Sequence, residues 1–250
     1  MKVFLTGASS GIGEALARLY ASRGATLGLL ARRGDFLNTL KASLPSEAET
    51  YACDVRDLAA VKAAAAHFIA RHGAPDVVIG NAGVSSGTAT EIEEDAATFR
   101  DILDVNVMGL VNTFHPFVEP MRSRGSGTLA GVASVAGFRG LPGASAYSAS
   151  KAAAISYLEA LRLEMRGSGV RVTTLCPGFI ATPMTARNPY PMPFILEAGD
   201  AAHRMARAID AGKSYAIIPW QMAIVGRVLR VLPNAIYDRL MAGRGRKPRK

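Results

Sequence analysis

The chain has only two cysteines in 250 residues, Cys53 and Cys176. Both sit in apolar, strand-like stretches, which excludes a disulfide-stapled scaffold and points to buried thiols in a reducing compartment. Long apolar runs are missing too: no stretch reaches the ~18 consecutive apolar residues of a membrane span. The opening MKVFLTGASSG reads as a strand entering a turn and leaves no room for a signal peptide, so a cytoplasmic protein is expected. Charged residues make up 20% against 49% hydrophobic, which excludes a disordered chain and allows a large core. No grouping of His, Cys, Asp and Glu has metal-ligand spacing, so no metal is expected. Acids are scarce at one end. From Trp220 to Lys250 a single acid, Asp238, faces Arg227, Arg230, Arg239, Arg244, Arg246, Lys247, Arg249 and Lys250. The net charge of +9 is therefore mainly a property of this tail. The near-neutral body lacks a basic groove with interleaved aromatics, which argues against nucleic acid as a partner.

What the sequence does contain is alternation. Short apolar or β-branched runs at Val3–Leu5, Thr26–Ala31, Thr50–Cys53, Val77–Gly80, Thr128–Ala133, Val170–Leu175 and Tyr215–Ile218 are separated by helical patterns. Among these are Ile12–Arg23, Leu58–His72, Ala96–Ser123, Tyr147–Arg166 and Ala201–Ala211. Such alternation predicts an α/β fold, a doubly wound parallel sheet of Rossmann type, built as a single domain over residues 1–219. Near-continuous apolar strands fit a sheet covered on both faces.

The first strand runs into Thr6-Gly7-Ala8-Ser9-Ser10-Gly11-Ile12-Gly13, and a helix pattern follows at once. Glycines between strand and helix let backbone approach a pyrophosphate, and the helix N-terminus offers free amides and a favourable dipole. The spacing is G-x-x-x-G-x-G rather than the common dinucleotide fingerprint. The second strand ends Leu29-Leu30-Ala31-Arg32-Arg33, with no acid to accept ribose hydroxyls. A guanidinium there suits a 2′-phosphate, so NADP(H) is expected over NAD, with Arg32 as the contact and Arg33 as a helper.

Tyr147 and Lys151 stand four apart at the start of a long helical pattern, which puts phenol and ammonium on one face. A nearby cation is expected to lower the phenol from its reference of ~10 into a range useful for proton exchange. Ser134 ends a predicted strand, where ligands of open α/β sheets sit, and could hydrogen-bond a substrate oxygen.

Together these motifs resemble the short-chain dehydrogenase/reductase family over residues 3–219. TGASSGIG (Gly7, Ser9, Ser10, Gly11, Ile12, Gly13) matches its cofactor loop, and Asp54-Val55 its adenine-contacting pair. Asn81-Ala82-Gly83 matches the motif closing the fourth strand. Asn106 falls on its helix asparagine, and Ser134, Tyr147 and Lys151 on its active-site residues. Pro177-Gly178, Ile180 and Thr182 match the segment beside the nicotinamide. The resemblance implies a carbonyl–alcohol oxidoreductase in which Tyr147 is acid and base, while Lys151 lowers its pKa and holds the nicotinamide ribose. Ser134 would position the substrate oxygen, and Asn106 a water linking Lys151 to solvent. A non-catalytic redox sensor is the competing class, although the complete set of four argues against it.

Residues 183–199 would be the substrate loop. Their prolines, with Met184, Tyr190, Met192 and Phe194 and one charge at Arg187, suggest an apolar small-molecule substrate. Residues 220–250 form a C-terminal extension. Ile224, Val225, Val228, Leu229 and Leu232 share one helical face. The body, a second subunit of a homodimer or homotetramer, or peripherally an anionic membrane could cover it. Residues 243–250 are expected to stay mobile and dispensable.

Overall fold

Pairing of the seven apolar runs generates one parallel sheet in the computed structural model, which describes residues 1–243 and 245–249. Arg244 and Lys250 of the basic tail lie outside the described residues. The first half runs β1 (Lys2–Thr6), α1 (Gly11–Ser22), β2 (Thr26–Ala31), α2 (Gly34–Ser43), β3 (Ala48–Ala52), α3 (Leu58–His72), β4 (Val77–Gly80) and α4 (Asp95–Leu103). It continues through α5 (Gly109–Arg124), β5 (Gly127–Val132), α6 (Ser145–Glu164) and β6 (Val170–Pro177). The short strands β7 (Ile180–Ala181) and β8 (Leu196–Glu197), then α7 (Ala198–Asp210), β9 (Tyr215–Ile218), α8 (Gln221–Val231) and α9 (Asn234–Met241) complete the chain. Each expected strand is present, its ends displaced by at most two residues. The expected helix Ala96–Ser123 is instead divided by a π turn at Asp104–Met108, so α4 and α5 meet at a bulge.

Strand order is β3-β2-β1-β4-β5-β6-β9, with every neighbour parallel. The order reverses between β1 and β4, which opens a crevice at the carboxyl ends of the strands. Side chains of α1, α2 and α7 pack on one face of the sheet, and those of α3, α5 and α6 on the other. Burial on both faces explains why the strands read as continuous apolar runs. An aromatic cluster forms around buried Phe4, whose ring lies 5.6 Å from Phe68 and 4.7 Å from Phe117. Gly28 makes room for that ring, since a Cβ there would come within 2.5 Å of Phe4 Cδ2.

The C-terminal extension differs from expectation in two respects. First, α8 buries only part of the face chosen on the helical wheel: Val225, Leu229 and Leu232 are half-buried, Ile224 and Val228 are 53% and 49% exposed, and Met222 and Gly226 face inward. Gly226 decides this, because the missing side chain lets the helix seat directly on the Phe138 ring. Second, the described residues 245–249 are not free. The Gly87 amide donates to the Pro248 carbonyl (2.8 Å), and Arg249 pairs with Asp95. Arg139 pins the preceding helices, donating to the carbonyls of Leu229 and Leu232 and to Asn234 Oδ1 while stacking on Tyr237. A basic run looks solvated when its partners lie far away in sequence, and Asp95 is 154 residues from Arg249. Among the described residues no helix is long and apolar enough to cross a membrane.

Replacing Phe4 with Ala removes the centre of the aromatic cluster, and the expected cost is ~3–5 kcal/mol of unfolding free energy. Urea titration at constant pH measures it, and a loss under ~1 kcal/mol would show that the cluster repacks.

Candidate active site

Thr6 and Asn81 build the crevice floor. The Asn81 and Ala82 amides donate to Thr6 Oγ1 (3.2 and 3.3 Å), and Asn81 Nδ2 donates to the carbonyls of Thr6 and Gly7 (3.1 and 3.2 Å). This draws the turn after β1 against the end of β4. Gly7 takes φ +70°, and Gly13 lies so close under the Gly7 carbonyl that a Cβ could not fit. Gly11, at φ +59°, packs against the Thr182 side chain.

A cleft of about 430 Å³ runs over this floor. Gly7, Ser9, Ser10, Gly11 and Ile12 line its middle, and Gly13 supports them from beneath. Arg32, Arg33, Asp54 and Val55 line one end. Asn81, Ala82, Gly83, Ser134, Tyr147, Lys151, Pro177, Gly178, Ile180 and Thr182 line the remainder. Asn106 lies just behind Gly83: a Cβ on that glycine would sit 3.2 Å from Asn106 Oδ1 and 3.6 Å from Lys151 Nζ.

The donors along the cleft fit a dinucleotide. Ser10 makes no side-chain cap bond to α1, so the first-turn amides are left for a phosphate. Arg33 Nη2 donates to Ser9 Oγ (3.0 Å) and its guanidinium stacks on Phe36 at 4.2 Å, which fixes it beside the loop. Asp54 accepts from Arg56, chiefly its side chain, and that bond holds its carboxyl below the ordinary range.

At the inner end, Asn106 spends its side-chain amide on the Val84 backbone and the Ser150 hydroxyl. Its Oδ1 accepts from the Val84 amide (2.8 Å), and its Nδ2 donates to the Val84 carbonyl and to Ser150 Oγ (3.0 and 2.9 Å). It therefore pins the segment after β4 and also occupies the π bulge. Ser134 Oγ accepts from the Ala136 amide (3.1 Å) and also interacts with the Tyr147 phenol.

Burial governs the electrostatics here. It raises the Tyr147 phenol, with Ser134 opposing and Tyr190 adding. It lowers the Lys151 ammonium to about 8, against an opposing effect of Cys176. Lys151 Nζ donates to the Val132 carbonyl (2.9 Å) and stands 5.8 Å from the Tyr147 ring centre. The expected lowering of the phenol by this cation is thus not what the structure has, because desolvation outweighs the charge at that separation. Lys247 reaches the Tyr147 ring and Arg249 pairs with Asp95, and neither contact was anticipated. The cue was the tail's basic run, but nothing near it in sequence indicated a buried partner. Among the described residues, Glu47, Glu49 and His72 have mutual spacing that could suit an ion. They lie beside the amino end of β3, away from the cleft, and Arg71 pairs with Glu49.

Comparison with known proteins adds a second line. The model for short chain dehydrogenases matches residues 1–191. An uncharacterized oxidoreductase of Myxococcus xanthus (strain DK1622) is 40% identical over 237 residues, 94% of this chain and 93% of that protein. A 3-oxoacyl-(acyl-carrier-protein) reductase of Thermotoga maritima is 33% identical over 188 residues, 74% of this chain and 76% of that protein. The crystal structure of a short-chain dehydrogenase from Streptomyces avermitilis superposes with a TM-score of 0.81 at 27% identity, covering 96% of this chain and 94% of that one.

A depressed Lys151 has a measurable signature. The folded chain binds this proton less tightly than the unfolded chain does, so the penalty is full below about pH 8 and is relieved as pH rises through 10.5. Lys151→Met carries no such penalty. Its stability relative to the unmodified protein should therefore fall by as much as ~3 kcal/mol between pH 7 and pH 10. Denaturation of both proteins at the two pH values tests this, and a pH-independent difference would refute it.

Proposed function

As a member of the short-chain dehydrogenase/reductase family, the chain is an NAD(P)-dependent oxidoreductase acting on CH–OH and C=O groups; we propose that it takes NADP(H) and that Tyr147 is its acid and base. One observation carries this reading: a single cleft joins the phosphate-accepting turn to the Ser134, Tyr147 and Lys151 cluster. When bound, the nicotinamide supplies the hydride chemistry. The residues supply orientation and the proton. Ser134 holds the substrate oxygen beside the phenol. Burial keeps Tyr147 protonated at neutral pH, ready to donate to the oxygen of a carbonyl being reduced. Lys151, titrating near 8, can return that proton, and it would also hold the nicotinamide ribose. Asn106, by fixing the segment that carries Gly83, would help hold a water that links Lys151 to solvent.

At the other end, Arg32 makes no hydrogen bond or ion pair among the described residues, whereas Arg33 is occupied with Ser9. Arg32 is therefore the guanidinium assigned to a 2′-phosphate. A homo-oligomer is part of the proposal, and the exposed apolar side chains of Trp220, Ile224, Val228 and Val231 are the surface it would cover.

Tyr147→Phe should abolish turnover of any carbonyl the protein reduces while leaving nicotinamide cofactor affinity nearly unchanged. Retained turnover would remove the acid and base role. Arg32→Ala should weaken NADPH by at least ~10-fold and leave NADH almost untouched, since a charge-assisted hydrogen bond contributes ~1.5–3 kcal/mol. Fluorescence titration with both cofactors reads this directly, and equal affinities in the unmodified protein would defeat it.

A further inference from the structure

The end of the chain crosses the mouth of the site as a strap. A Cβ on Gly245 would lie 3.6 Å from Tyr190 Cβ, and one on Gly143 would meet Arg246 Cβ at 2.8 Å. The bond from Gly87 to Pro248 and a two-point pair from Arg249 fix the far end. In that pair, Nε lies 2.9 Å from Asp95 Oδ2, and Nη2 donates to Oδ1 at 3.1 Å. Asp95 is itself buried and accepts from the Ala89 amide at 2.7 Å, so the anchor is held from both sides.

Between these anchors the strap presents Lys247, whose Nζ lies 5.3 Å from the centre of the Tyr147 ring. Lys247 is half-buried, and no carboxylate among the described residues is within ion-pair distance of it. Burial pulls its ammonium below the ordinary lysine range. The aromatic face offsets part of the lost hydration. A cation withdrawn from water without a counter-ion is costly, and an arriving anion would relieve that cost.

We propose that Lys247 is a specificity-determining residue that selects carbonyl substrates bearing a carboxylate or similar anion close to the reacting group. This rests on the proposed reading that the carbonyl substrate binds in the cleft beside Tyr147. It also revises the expectation of an apolar substrate, which considered the loop at residues 183–199 but not the strap. The apolar side chains of that loop suit the body of such a substrate, and Lys247 its charged end.

The test uses the full-length protein with NADPH and two carbonyl acids, 4-formylbenzoate and 4-oxobutanoate, each compared with its uncharged methyl ester. At least one acid should be preferred over its ester by ~10-fold or more in kcat/KM, as expected for one charge-assisted contact. Lys247→Met should bring that ratio towards one through KM rather than kcat, and Lys247→Arg should retain part of it. Arg249→Ala, which frees the strap with Lys247 intact, should reduce the ratio as well. Equal use of acid and ester by the unmodified protein, or a ratio unchanged in Lys247→Met, overturns the proposal. So does a rise in turnover of acid and ester alike in these variants, which would mark the strap as a block.

Calorimetric titration of the acids into cofactor-loaded Tyr147→Phe, with and without Lys247→Met, separates the two assignments. Acid binding that needs Lys247 supports the proposal even where turnover fails and the Tyr147 reading falls. Binding indifferent to Lys247 overturns it even where turnover succeeds.

Discussion

Thr6 and Asn81 tie the carboxyl end of β1 to that of β4 through four hydrogen bonds, and the shape of the crevice follows from that tie. Where strand order reverses, two strand ends would otherwise present unpaired backbone groups to a gap. Here the Thr6 hydroxyl and the Asn81 amide satisfy them and leave the crevice open above. The same contacts force the backbone turn so close to α1 that only glycine can stand at position 13. A phosphate-sized space in front of the helix N-terminus is the result.

From that floor the chemistry is set mainly by burial. Tyr147, Lys151 and Cys176 are all shifted towards their neutral forms, and desolvation is the leading cause for each. A neutral phenol beside a weakly held ammonium is suited to passing a proton. Asn106 contributes through position. The π turn spends one extra residue so that this side chain can reach Val84 and Ser150 at once.

The C-terminal segment shows how a charge run can be misjudged. Eight basic residues against one acid suggest a solvated end, and locally nothing contradicts that. Yet Arg249 reaches a buried carboxylate on α4, and Lys247 reaches the aromatic ring of the active site. The two contacts and the buried acid give this arginine–carboxylate pair a fixed geometry, while the 45% exposure of Arg249 leaves it partly screened by solvent.

By itself the sequence determined the strands, the glycine turn and the order of the motifs. Each rests on local physics: apolar runs for a sheet buried on both faces, glycine where φ is positive, and residues four apart for a shared helical face. Tertiary structure decided what depends on distant partners. Gly226 against Phe138 chose the buried face of α8, desolvation reversed the expected shift of Tyr147, and Asp95 drew the tail across the site. None of these is written in a local pattern, because burial and ion pairing depend on what the folded chain places alongside, not on what precedes or follows in the sequence.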